Sequence, residues 1–319
     1  MRGQNHRGWR PAPEATEIYA QSIPRKYKTQ LSDLPYDLER SVYPFRALAK
    51  LLEGSQYLTG GRLDAMNQGN YGSCVGFAAS RAADITAACD ILWRRQAEKW
   101  PTDQQGRPVL TSPDWCYGAS RDISDSLGRW QGSYGGAAAK CLREYGAIHQ
   151  KKYGRFDLTS YSIPRCRKWA AQGVPLELVD QARRHQFLTT VRVETVQQAV
   201  ALVQNGYGFS VCCGMAWSSR RDEDGFARRV RPGWSHAQAG GLGYVYIKRG
   251  KRSRRGFLIQ NSWSNSWQAG SPFGLDDQPH GSYFIRYEDM ATAIRSGDCY
   301  AVGDYEGFRE KYNFGEIGW

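Results

Sequence analysis

Residues 67–77 read Asn-Gln-Gly-Asn-Tyr-Gly-Ser-Cys-Val-Gly-Phe, a glycine-punctuated loop that runs into apolar residues at helical spacing. The pattern predicts Cys74 at the start of a helix, with Gln68 six residues upstream. Unpaired N–H groups and partial positive charge at a helix N-terminus favour a thiolate, so Cys74 is placed as a nucleophile. The plainer reading of a lone cysteine there is a small buried core residue. A thiolate also needs a proton carrier, and imidazole titrates in the right range. The chain has five histidines, His6, His149, His185, His236 and His280. Only His236 immediately precedes an alternating, strand-like run, residues 237–247, with glycines at 240, 241 and 243.

Two segments raise the standing of Cys74. Residues 234–247 begin Trp-Ser-His-Ala-Gln-Ala-Gly-Gly, and residues 257–267 read Phe-Leu-Ile-Gln-Asn-Ser-Trp-Ser-Asn-Ser-Trp. The order Gln, Cys, His, Asn-Ser-Trp, each in its local context, resembles the papain family of cysteine peptidases. Residues 132–137 (Gly-Ser-Tyr-Gly-Gly-Ala) resemble that family's substrate-binding Gly-Gly segment, and residues 281–287 its late barrel strand. The resemblance runs from about residue 60 to 300.

It implies an α+β, two-lobed fold, with a helical lobe packed on a β-barrel-like lobe and the active site in the cleft between them. The peptidase domain would span residues 41–302, divided near residue 161. The resemblance implies an endopeptidase working through an acyl-enzyme without metal or cofactor. Cys74 would attack, His236 would move the proton, and Asn261 would orient the imidazole as the third member of a triad. Gln68 would bind the oxyanion together with the Cys74 amide. Trp263 would cover the His–Asn hydrogen bond. Gly135 and Gly136 would pair with substrate backbone by strand addition. Ala137 and Ala138 would line the main specificity pocket, and Trp263 and Trp267 would border the substrate. Departures are local: Val75 replaces the usual aromatic, and Tyr71 and Ser133 stand where the family has a cysteine bridge. Ser235 precedes His236, where plant members often carry aspartate. Cys116 and Cys166 sit near the positions of a second family bridge.

The elements that must position these groups are partly legible. Val75, Ala78, Ala82, Ile85, Cys89 and Leu92 recur at steps of three and four, predicting one long helix over 74–96 with a buried stripe. Residues 101–133 read as an irregular loop region, and 137–145 as a second helix stopped by Gly146. After an alternating run at 186–194, Thr195 and Gln198 form a capping box for a helix over 196–205. Residues 207–213 read as a strand in which Cys212 and Cys213 face opposite ways.

Forty-one per cent hydrophobic and 13% aromatic residues in 319 describe a folded rather than a disordered chain. Eight cysteines without a Cys-x-x-Cys pair argue against both a zinc site and a disulfide scaffold. There is neither a secretory h-region nor a run long enough for a transmembrane helix. An intracellular location is therefore the default expectation, with packaging into a virus particle as the alternative.

Residues 1–40, broken by Pro11, Pro13, Pro24 and Pro35, read as an extended basic arm. Only 67 residues precede Gln68, too few for a family-type propeptide, so the arm is expected either to lie over the cleft or to tie the chain to a partner. Residues 303–319 read as an aromatic-rich tail. Net charge is +12, and much of it falls in Lys-Arg-Gly-Lys-Arg-Ser-Arg-Arg, from Lys248 to Arg255, a predicted hairpin tip. With the arm, that tip suits an anionic partner or assembly. No nucleic-acid motif accompanies it, so no specific nucleic-acid recognition is expected. A polypeptide is the expected substrate. The rival reading is a structural or adaptor component of a larger assembly, such as a phage virion, that retains a papain-like domain.

Overall fold

Between Cys74 and Cys89 almost every residue is small or apolar, and the helix they build is buried nearly all round rather than along one stripe. This helix, α4 (Cys74–Trp93), is the axle of the molecule in a computed structural model describing residues 8–231, 233–267 and 277–303. Its small residues let neighbours approach closely. A Cβ on Gly76 would lie 2.3 Å from the Pro113 carbonyl of α5 (Pro113–Ile123). On the other face, a Cβ on Gly208 would lie 2.1 Å from the Ala82 carbonyl.

Helices cover one side of α4. They are α5, α6 (Gly135–Glu144), α7 (Ile163–Gln172) and α8 (Leu176–Ala182), whose apolar residues form a cluster with the first half of α4. The helical side thus reaches past residue 180, beyond the expected division near 161. The expected irregular stretch at 101–133 contains α5, which starts at a Ser112 cap followed by Pro113.

On the other side lies a six-stranded antiparallel sheet. In chain order its strands are β1 (Thr189–Arg192), β2 (Phe209–Cys213), β3 (His236–Arg249), β4 (Arg252–Gln260), β5 (Ser282–Arg286) and β6 (Tyr300–Gly303). Across the sheet the order is β5-β4-β3-β2-β6-β1. The helix α9 (Val196–Gln204) between β1 and β2 has the full Thr195–Gln198 capping box. Cys212 and Cys213 do face opposite ways: Cys213 enters the sheet-side core and Cys212 the helix-side cluster.

The first forty residues are not an extended arm where they are described. Pro13 opens α1 (Pro13–Ser22), and Pro24 precedes α2 (Arg25–Asp33). Proline fixes φ and lacks an N–H that a first turn would leave unpaired, so these prolines start helices instead of preventing them. Tyr19, Ile23, Leu31 and Leu34 are buried in the sheet-side core, which makes the segment part of the fold. Residues 1–7, His6 among them, and 304–319 of the expected tail lie outside the described residues.

All eight cysteines are free, so neither Cys116 nor Cys166 is bridged. Where the family's other bridge is missing, aromatics hold the loops together. Tyr71 packs edge-on against Tyr117 at 5.6 Å, and the Gly132 N–H donates to Tyr117 Oη at 3.1 Å. The basic run forms the β3–β4 hairpin turn as expected, but its charge is partly met. Arg249 pairs with Asp224 at 2.6 Å, and Arg254 with Asp222 at 2.7 Å and Asp224 at 2.8 Å. No helix among the described residues is long and apolar enough to cross a membrane.

Candidate active site

β3 carries an irregularity that sets the geometry of the site. Gly243 pairs with Leu258 and Ala239 with Gln260, so β3 uses four residues where β4 uses two. Gly241 takes φ +84°, and its Cβ position is 2.7 Å from the Tyr207 carbonyl, which admits only glycine. The bend leaves His236 pairing with Cys213 of β2, while Asn261 emerges directly from the end of β4. His236 Nε2 and Asn261 Oδ1 are 3.1 Å apart. The oxygen can only accept, so Nε2 carries the proton. The Ser262 N–H donates to the same oxygen at 2.6 Å and fixes the amide. Trp263 stacks on the imidazole at 4.4 Å and 28°, and Trp267 meets Trp263 edge-on at 5.2 Å.

Cys74 is the first residue of α4, and its Sγ accepts the Ala237 N–H at 3.3 Å, one residue beyond His236. The expectation of a lowered thiol pKa does not hold in this state. Cys74 is 0% exposed, and burial pushes the thiol up to about 12 despite the amides of Ala237 and Val75. Desolvation of the anion outweighs the helix terminus.

The cover is the chain's own N-terminal segment. A Cβ on Gly8 would stand 2.5 Å from Cys74 Sγ and 3.2 Å from Gly72. The segment is bound like a peptide between two walls. Its Arg10 N–H donates to the Ser133 carbonyl at 2.8 Å, the Ser133 N–H donates to the Gly8 carbonyl at 3.0 Å, and the Trp9 N–H donates to the Ser235 carbonyl at 3.4 Å.

Backbone pairing therefore falls at Ser133, not at Gly135 and Gly136. Those two glycines begin α6, and their amides are taken by the Asp298 carboxylate at 2.7 and 2.9 Å. Gly135 also packs so closely on Asp298 that a Cβ would lie 2.4 Å from its carbonyl. Ala137 and Ala138 are buried in α6, Ala138 in the apolar cluster that includes Trp9.

Gln68 is fully buried between the α4 loop and the segment after β4. Its N–H donates to the Ser262 carbonyl at 2.8 Å, its Oε1 accepts from Ser262 Oγ at 2.5 Å, and its Nε2 donates to the Tyr71 carbonyl at 2.8 Å. A carboxamide has two N–H hydrogens, so one remains for another acceptor.

Gly8, Trp9 and Asp298 are site residues that no motif marks, and Ser133 and Ser235 lie in motif segments without a marked role of their own. Trp9, a lone aromatic between a glycine and an arginine in a polar segment, was the available signal. Arg81 was missed too. It is buried on α4, its Nη1 has no protein partner, and Arg81 and Asn261 line the same cavity of about 10 Å³.

No family model and no curated protein matches the chain. Among solved structures, xylellain, a cysteine protease from Xylella fastidiosa, matches 95% of this chain and 98% of its own, with 16% identity and a TM-score of 0.56. Procathepsin L 3 of the Tenebrio molitor larval midgut matches over 93% and 95%, with 14% identity and a TM-score of 0.44. The first of these shows that the chain has the papain-like α+β fold, with its two lobes meeting at Cys74 and His236.

Proposed function

We propose that this chain is a papain-like cysteine endopeptidase whose own N-terminal segment keeps it latent. Cys74 is the nucleophile, His236 the proton carrier, and Asn261 the residue that orients the imidazole. With Nε2 bound to Asn261, Nδ1 of His236 takes the thiol proton, and the thiolate adds to the scissile carbonyl. The Cys74 amide and Gln68 Nε2 stabilise the oxyanion. The imidazolium then protonates the leaving amine, leaving a thioester on Cys74. Water, deprotonated by His236, hydrolyses that thioester and restores the thiol.

The observation that carries the reading is the main chain at Gly8, Trp9 and Arg10. It is hydrogen-bonded to both cleft walls and passes directly over Cys74 Sγ. A cleft that binds a peptide backbone across a thiol, beside an amide-oriented imidazole, suits peptide-bond chemistry.

The test is intact-mass labelling with an epoxysuccinyl peptide, on the full chain and on its Gly8→Val and Cys74→Ala variants. The expected result is slow labelling of the full chain, fast single labelling of Gly8→Val, and none of Cys74→Ala. A folded Gly8→Val chain that neither labels nor cleaves casein would end the peptidase reading and favour a structural component.

A further inference from the structure

Main-chain pairing at Ser133 and Ser235 accepts any residue type, so whatever selectivity the cleft has must come from where side chains go. One seat has chemistry of its own. Trp9 is 6% exposed and lies in the apolar cluster that contains Ala138, Cys212 and Val302. Its Nε1–H donates to Asp298 Oδ2 at 2.6 Å. That carboxylate is oriented independently of the arm, because the first two amides of α6 donate to Oδ2 and Oδ1. Thr16 Oγ of α1 adds a fourth hydrogen bond at 3.2 Å. A Cβ on Gly214 would stand 4.0 Å from Trp9 Cζ3, so a larger residue there would press on the ring.

We propose that the Trp9 seat is the substrate-reading pocket of the cleft, that it selects a tryptophan side chain close to the cleaved bond, and that Asp298 is the specificity-determining residue. This inference rests on the peptidase reading above. When residues 8–10 leave, Asp298 loses the Trp9 donor and keeps Thr16 and the two glycine amides. A phenylalanine or leucine would bury the carboxylate again without replacing the lost donor, which is costly. Tryptophan brings a flat apolar surface and one N–H in a single side chain. Arginine and lysine bring donors on a charged head, which apolar walls would desolvate. Burial already pushes the Asp298 carboxyl up to about 6, so the number of donors matters to its ionisation near neutral pH.

The experiment uses the full chain carrying Gly8→Val and Trp9→Ala, which vacates the seat, and quenched peptides that differ only in Trp, Phe, Leu or Arg at one position near the scissile bond. The expected result is kcat/KM at least about tenfold higher for Trp than for Phe. Adding Gly214→Val, which narrows the seat without touching Asp298, should erase that preference while the Phe and Leu peptides are still cut. Asp298→Asn should reduce it, and because this change also touches α6, Gly214→Val is the decisive variant. A thermal-shift titration with indole should stabilise the parent variant and not the one with Gly214→Val. Hydrolysis with equal or better rates for Phe, Leu or Arg would overturn the pocket's selectivity and leave the peptidase reading standing. Hydrolysis of no peptide at all would overturn the peptidase reading and the pocket's substrate role with it, even if indole binds.

Discussion

Cys74 and Cys212 lie in one apolar cluster, both are fully buried, and burial pushes both thiols up. They differ in what buries them. Cys212 is closed in by strand β2 and the helices packed on it, which cannot move without unfolding the core. Cys74 stands at a helix N-terminus and is closed in by Gly8, on a segment held across the cleft by backbone hydrogen bonds and by the seated Trp9 side chain. Burial and a raised pKa therefore do not separate a reactive thiol from an inert one here. What separates them is whether the cover can be lifted.

The largest effect should come from the thiols themselves. In a Gly8→Val background, Cys74→Ala should lower peptide hydrolysis by about 10⁴-fold or more. Cys212→Ala, which alters a neighbour of the Trp9 seat but no reacting atom, should leave kcat/KM within about tenfold and cost about 1 kcal/mol of stability by denaturant unfolding. Comparable activity losses in the two variants would break the distinction. Next comes the cover. Gly8→Val forces a side chain into the space of Cys74 Sγ, and labelling at Cys74 should accelerate at least about tenfold, equivalent to about 1.4 kcal/mol of docking energy. Peptide mapping should find Cys212 unlabelled in the same sample.

A smaller effect is expected from pH, and its sign follows from the burial of Asp298, which outweighs the hydrogen bonds it accepts. With residues 8–10 in place the Asp298 carboxyl lies at about 6, above the ordinary 3.8, because burial disfavours the anion by more than the Gly135, Trp9, Gly136 and Thr16 hydrogen bonds favour it. The titratable groups that face it, Tyr134, Cys212, Cys299 and Tyr300, have pKa values raised from already high ones, so none of them ionises between 4 and 6. Lifting the arm hydrates Asp298 and moves its pKa down. The docked state therefore binds more protons, and docking is strongest below about 4 and weakens as pH rises through about 6. The raised Cys74 thiol has the same sign but acts only above about pH 9, outside this range. The labelling rate of the full chain, divided by that of Gly8→Val, should rise roughly threefold to tenfold from pH 4 to pH 7. A ratio that falls over that range would mean that the arm is held by the ionised carboxylate instead.

The contrast also marks what could be read from the sequence. The residues around Cys74, His236 and Asn261, the long helix after the cysteine, the capping box at Thr195 and the basic hairpin were all legible, because each depends on neighbours in the chain. The helix after Ser112 also carries a local signature, serine, then proline, then aspartate in its first turn, which outweighs the irregular look of the surrounding stretch. Of the four prolines in the first forty residues, which suggest breaks, Pro13 and Pro24 instead start helices. Asp298 was not legible at all. Its partners Trp9 and Gly135 lie 289 and 163 residues away, and no local pattern connects them. For the same reason the Gly-Gly pair looked like a substrate platform, when its amides were already committed to that carboxylate.

The smallest predicted effect tests whether anything behind the triad tunes it. Arg81 donates from Nη2 to the Asp64 carbonyl at 2.9 Å, while its Nη1 has no protein partner. Asn261 Nδ2 has none either, and both residues line the same cavity of about 10 Å³. That is room for about one water, which could accept from both donors. Such a bridge would hold Nδ2 away from His236 and Oδ1 towards it. Arg81→Met keeps most of the packing and removes the donor. In the Gly8→Val background it should lower kcat about threefold to tenfold with KM within about twofold, since the substrate touches neither residue. Ala78→Val, which fills the cavity from α4 without altering charge, should give the same split between kcat and KM. If Arg81→Met lowers only the unfolding free energy and leaves kcat unchanged, the guanidinium is a structural member of the α4 core and the triad is complete without it.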